Sequence, residues 1–249
     1  VIEVLAADPA PGLLSGRVVL VVGAHGALGS ACARAAAEAG ACVVLLGRRV
    51  PKLNRLYDAI KAQGQAEPAI YPLDLEGAGP ADYEQLAASI AEHCGRLDGV
   101  VHAAAEFRAL TAFGSIPPQD LLRSLHVNLS APMLLTQACL PLLLQAADAA
   151  VVVAVDDPAR CARAYWGAYP AAQAARAAWV AQLGDELENT SVRVHGLQPG
   201  PMRTPLRARA YFAEDPGQWP DAAAYAPRFI AALAGDPGLV RGAVSALQL

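Results

Sequence analysis

The 249 residues are 55% hydrophobic and 17% charged, enough apolar material for one substantial core. A net charge of −4 and a pI near 5.7 supply no attraction for nucleic acid or an anionic membrane surface, so the expected ligands are small molecules. Five scattered cysteines, Cys32, Cys42, Cys94, Cys139 and Cys161, form no C-x-x-C pair for metal or redox chemistry and read as reduced thiols of a cytoplasmic protein.

The first stretch, "VIEVLAADPAPGLLSG", has no basic region ahead of an apolar run, and no segment reaches the roughly 18 uninterrupted apolar residues of a membrane span. Short β-branched runs then alternate with alanine-rich segments of helical spacing. Strands are predicted at 17–23, 41–47, 67–74, 97–104, 149–155, 191–197 and 242–247, and helices at 27–40, 52–63, 81–94, 118–147, 165–189 and 219–234. Gly40 and Gly64 stand as stops for the first two helices. Strands apolar on both faces and separated by helices predict one α/β domain over 1–249, a doubly wound sheet of about seven parallel strands covered on each side. The small side chains of 118–147 and 165–189 allow close helix packing, on the sheet or against a second subunit, which makes a homodimer or homotetramer the expected assembly.

Directly after the first strand, "VGAHGALG" sets Gly23, Gly26 and Gly29 at a turn leading into a helix. Glycines let the backbone approach a pyrophosphate closely, and the free amides and positive end of the helix, around Leu28, meet its charge. His25 lies inside this loop and either touches a phosphate or faces solvent. The second strand ends in "LLGRRV", with Gly47 where an NAD site carries an acid for the ribose hydroxyls. Arg48 or Arg49 suits a 2′-phosphate, which favours NADP(H) over NAD(H), although such a pair also occurs at a solvated helix start. Asp74, at the close of the third strand, is placed to accept a hydrogen bond from an adenine amino group while Leu75 covers the ring edge; an ordinary strand-end aspartate fits the same position.

Together, "LVVGAHGALG", "LLGRR", "LDL", "RLDGVVHAA", "HVNLSAPMLLTQACLPLLL", "YWGAYPAAQ" and "LQPGPMRT" resemble, in order and spacing, the short-chain dehydrogenase/reductase family over nearly the whole chain. The resemblance implies a Rossmann-like domain, a substrate-covering segment at about 201–222, and hydride transfer assisted by asparagine, serine, tyrosine and lysine. Asn128 and Tyr169 stand at two of these positions. The serine position, thirteen residues before the tyrosine, is Asp156, and the lysine position, four residues after it, is Gln173. Bringing a tyrosine from a pKa of about 10 to neutrality needs roughly 3 to 4 kcal/mol. Loss of the lysine cation and gain of a carboxylate both act against that, so alcohol oxidation is expected to suffer most. Carbonyl reduction needs a neutral tyrosine and is less affected.

Two further departures accompany these. Pro170 biases Tyr169 away from helical geometry unless both lie in a first turn, so displacement of the tyrosine is expected. "HAAA" at 102–105 replaces the family's "NAG", with Ala103 in the asparagine position and Ala105 adding a methyl near the nicotinamide end. Pro199, Gly200 and Thr204, in "LQPGPMRT", match the segment bordering the carboxamide. Arg203, Arg207 and Arg209, with Tyr211, Phe212 and Trp219, fit either an anionic or aromatic ligand or an outward-facing surface helix. His93, His102, His126 and His195 show no metal-like spacing, and no metal is expected. Three readings stay open: an NADP(H)-binding protein with weak or lost hydride transfer, an active NADPH-dependent reductase using Tyr169, and a non-catalytic assembly protein.

Overall fold

The computed structural model describes residues 2–3 and 10–248. In chain order the elements are β1 (Ile2–Glu3), β2 (Val18–Val22), α1 (Ala27–Glu38), β3 (Cys42–Gly47), α2 (Val50–Ala62), β4 (Ala69–Pro72), α3 (Pro80–Cys94), β5 (Gly99–His102), α4 (Pro118–Leu125), α5 (Ala131–Gln145), β6 (Ala149–Ala154), α6 (Pro158–Cys161), α7 (Tyr169–Glu186), β7 (Val192–Gln198), α8 (Pro205–Ala210), α9 (Ala226–Ala234) and β8 (Val244–Gln248). All strand pairs are parallel, in the order β1-β8-β7-β6-β5-β2-β3-β4. The seven expected strands are all present, and β1 adds a two-residue edge strand in a segment the sequence pattern left unassigned.

Both faces of the sheet are covered. Alternate residues of β2 go to opposite sides: Leu20 and Val22 join the core under α3, α5 and α7, whereas Val19 and Val21 join the core under α1, α2 and α9. The chain runs from β2 outward through β3 and β4, then returns to β5 on the other side of β2. That reversal opens a crevice past the C-terminal ends of β2 and β5, the place where open α/β sheets take ligands.

Helix boundaries depart from the sequence pattern at three places. The helix expected over 118–147 contains a π-helical turn, His126–Ser130, between α4 and α5. Pro118–Gln145 is long enough to span a bilayer and contains an 18-residue window of mean hydropathy 1.5, although it has no uninterrupted apolar run of that length; its Leu135, Cys139 and Leu143 are buried in the core. The helix expected from 165 begins at Tyr169, because Tyr165 (φ 77°) and Gly167 (φ 63°) occupy the left-handed region and cannot continue a right-handed helix. The helix expected over 219–234 is α-helical only from Ala226, after a 3₁₀ turn at Ala222–Tyr225.

Candidate active site

A cavity of about 560 Å³ occupies the crevice. Its first wall is the turn after β2. Gly23 has φ 86°, and a side chain there would put a Cβ 2.7 Å from the Ala104 Cα; a Cβ on Gly29 would strike the Gly23 carbonyl. Both glycines are therefore required for strand, turn and helix to close up. Gly26 caps α1 through its backbone alone and spends its own N–H on the Gly23 carbonyl at 2.9 Å, so it is Ala27 and Leu28 that present first-turn amides with no acceptor on them to the cavity.

At one end, His25, Arg48, Arg49 and Lys52 line the wall together, with Asp74 and Leu75 facing them from the end of β4. His25 is not a free loop histidine: its Nδ1 is buried without a hydrogen-bond partner, and a Cβ on Gly47 would collide with it. Burial, followed by the charges of Arg48, Arg49 and Lys52, holds its pKa below the usual value. Arg48 pairs with Asp74 at 3.4 Å and Glu76 at 3.5 Å, so two residues assigned separately from sequence touch each other. Lys52, in the first turn of α2, joins the basic group; the arginine pair alone did not reveal it.

At the other end, Asp156, Tyr169 and Gln173 converge. The Tyr169 hydroxyl donates to Asp156 Oδ2 at 3.0 Å, and the Asp156 backbone N–H donates to Gln173 Oε1 at 2.9 Å. Pro170 does not displace the tyrosine: Tyr169 and Pro170 are the first two residues of α7, where the missing proline N–H has no intrahelical acceptor to lose. Tyr169 is buried against Phe107 and Trp166, with ring centroids 5.8 Å away in each case. Burial first, then the Asp156 carboxylate as a charge and as a hydrogen-bond acceptor, hold the phenol well above its ordinary value near 10. Cys161, buried beside them, has its thiol pushed up to about 12 by burial and then by Asp156.

A cation that the sequence pattern did not single out, Arg176, also stands at this end of the cavity. This residue, seven positions after Tyr169 on α7, is 1% exposed and also lines the cavity. Its Nη2 donates to the His102 carbonyl at 3.3 Å and its Nη1 to the Ala104 carbonyl at 3.4 Å, at the end of β5. Its charge favours tyrosinate but acts more weakly on the phenol than burial and Asp156 do.

Asn128 lies behind the cavity wall in the π-helical turn. Its Nδ2 donates to the carbonyls of Glu106 and Ser124, each at 2.8 Å, and its Oδ1 accepts from the Glu106 N–H at 2.9 Å. The amide thus pins the backbone of Glu106, a half-buried cavity residue whose carboxyl pKa burial raises and which the sequence pattern did not single out. Ala103, Ala105, Pro199, Gly200 and Thr204 also line the cavity. Thr204 caps α8, its Oγ1 accepting from the Arg207 N–H at 3.1 Å. Arg207 is spoken for: it pairs with Glu214 at 2.8 Å and lies over the rings of Tyr211 and Trp219. Arg203 pairs with Asp221, and Arg209 is exposed at the cavity edge. His102 is a packed core residue, bonded through Nε2 to Thr136 Oγ1 at 2.8 Å, and burial lowers its pKa to about 3.

The short chain dehydrogenase family model matches residues 17–214. The chain is 36% identical over 209 residues to the uncharacterized oxidoreductase YciK of Escherichia coli K12, covering 84% of this chain and 82% of that one. Among solved structures, a short chain dehydrogenase from Salmonella enterica serovar Typhi superposes with a TM-score of 0.91 at 34% identity, covering 96% of this chain and 99% of the other. A relative from Escherichia coli CFT073 complexed with NADPH gives 0.90 at 34% identity, with the same coverages. Sheet order, crevice and matched sequence agree, and the chain belongs to the short chain dehydrogenase family.

Proposed function

We propose that this protein binds NADP(H) in the crevice and carries out alcohol or carbonyl hydride transfer weakly or not at all. The amides of Ala27 and Leu28 take the pyrophosphate, and Arg49 and Lys52, with Arg48 shared between Asp74 and ligand, take the 2′-phosphate. His25 packed on Gly47 leaves no room for the acid that would prefer NAD, which supports the phosphate-bearing cofactor. NADPH complexes of relatives favour the same choice. Pro199, Gly200 and Thr204 border the carboxamide end. The reduced nicotinamide, when bound, supplies the hydride of the family's chemistry.

The observation that carries the loss of activity is the 3.0 Å bond from Tyr169 to Asp156. It occupies the phenol's proton with a protein acceptor, where the family's serine would leave the proton free for a substrate oxygen. It also opposes formation of tyrosinate, the base that alcohol oxidation requires. A second reading, an NADPH-dependent carbonyl reductase, has support in the same phenol: it is held protonated and it faces the cavity. There Tyr169 donates the proton and Asp156 or water positions the substrate.

Titration with NADPH and NADH, followed by NADPH consumption across a panel of carbonyl compounds, tests these readings. Tighter NADPH binding without turnover is the expected result. Tighter NADH binding overturns the cofactor choice, brisk reduction favours the reductase, and no binding of either nucleotide leaves a non-catalytic assembly protein. The five free thiols suit the cytoplasm. Exposed Leu122, Met133 and Leu144 on α4 and α5, with exposed Ala171, Ala174 and Ala178 on α7, suit a homodimer or homotetramer.

A further inference from the structure

Arg176 is a buried cation for which the fold supplies no acid. No carboxylate pairs with it among the described residues, its two hydrogen bonds reach backbone carbonyls at 3.3 and 3.4 Å, and its Nε is buried with no acceptor. A guanidinium in that condition is unfavourable unless something else uses it. It is nonetheless placed beside the catalytic positions. Tyr169, Gln173 and Arg176 are spaced four and three residues apart, so they form one stripe along α7, and all three line the cavity. The carbonyls it holds belong to the 102–105 segment, where Ala103 offers no polar side chain.

We infer that Arg176 is the working cation of the nicotinamide end of this cavity, supplying toward the cofactor's ribose the charge and N–H donors that Gln173 lacks. This rests on the NADP(H) reading above. Burial draws the guanidinium pKa down to about 10, which leaves it charged at neutral pH. Arginine makes such a substitution workable from one turn further along the helix, because its side chain is longer than lysine's and its planar fork keeps donors free after two are used. The same fork fixes the floor of the site by gripping both carbonyls.

Equilibrium binding of NADPH and of 2′,5′-ADP, which lacks the nicotinamide half, separates the possibilities in four proteins: wild type, Arg176→Met, Gln173→Lys and the double variant. Arg176→Met is expected to weaken NADPH by at least about tenfold, in the range of a lost charge-assisted hydrogen bond, with 2′,5′-ADP unchanged. Gln173→Lys alone is expected to change NADPH affinity little, but in the Arg176→Met background it restores binding, a strong non-additivity between neighbouring sites. Equal NADPH affinity in wild type and Arg176→Met overturns the inference, as does parallel weakening of both ligands, which marks a purely structural clamp. Should Arg176→Met not fold, Arg176→Lys takes its place, and unchanged affinity ratios across its cycle with Gln173→Lys overturn the inference equally. Wild type that binds neither ligand refutes the NADP(H) reading itself, a result distinct from either of these.

Discussion

At the scale of single residues, the site is governed by what surrounds one hydroxyl. Burial and Asp156 both favour the phenol of Tyr169, and the charge of Arg176 opposes them more weakly. Ultraviolet titration of the wild type, compared with Tyr169→Phe, is expected to show this tyrosine still protonated at pH 10. In Asp156→Ser the midpoint falls, since the charge and the acceptor go while burial stays. Ionisation of Tyr169 near neutrality in the wild type contradicts the assignment. Combining Asp156→Ser with Gln173→Lys removes the carboxylate and installs the lysine of the family. NADP-dependent oxidation of secondary alcohols is expected to rise at least about tenfold over wild type, because one pKa unit corresponds to about 1.4 kcal/mol. A double variant as inactive as its parent would place the defect elsewhere, with Ala103 and Ala105 the next residues to exchange.

At the scale of elements, the turn between β2 and α1 depends on close backbone approach. Gly29→Ala forces the first turn of α1 away from the Gly23 carbonyl, an overpacking effect of about 1–3 kcal/mol. Denaturant unfolding is expected to show that loss together with weaker NADPH binding; unchanged values in both would mean the turn has slack that the geometry does not suggest. This turn was legible in the sequence because its information is local: three glycines in seven residues, a strand before and a helix after. The tyrosine helix was less so. Its true start at Tyr169 follows from positive φ at Tyr165 and Gly167, and that fixes Pro170 in a tolerant first-turn position. Arg176 was illegible for another reason. Its burial and its acceptors come from β5, more than seventy residues earlier, and nothing in "AQAARAAW" distinguishes it from an outward-facing arginine. Lys52 and Glu106 were missed in the same way, since each gains meaning only from what the sheet brings opposite it.

Across the whole molecule, two properties follow from how the layers meet. His102 sits neutral in the core with its pKa at about 3, against 6.5 when exposed. Unfolding binds a proton between those values, so its contribution to stability is complete above pH 6.5 and declines as the pH falls toward 3. The slope for one proton is at most about 1.4 kcal/mol per pH unit. Chemical denaturation from pH 7 to 4 is expected to show a steeper decline in wild type than in His102→Gln, and identical slopes would refute the assignment. The second property is assembly. Light scattering is expected to give the mass of a dimer or tetramer, and Leu122→Asp with Met133→Asp to lower it, since both side chains are exposed apolar positions on one long helical stretch. A monomeric wild type removes that expectation.

The π-helical turn at His126–Ser130 bears on how the chain tolerates change in length. Such a turn holds one more residue than an α-helical turn of the same rise. Deleting Leu129 would let the backbone relax into an unbroken α-helix with the flanking turns nearly in place, yet it would re-aim the residues of the bulge itself. Asn128 would swing off the Glu106 backbone, and the segment carrying Glu106 and Phe107 would lose its anchor. A locally easier helix would therefore come with a mis-aimed cavity wall, so the surplus residue is a register setting: it sacrifices regularity in one turn to keep a distant loop in alignment.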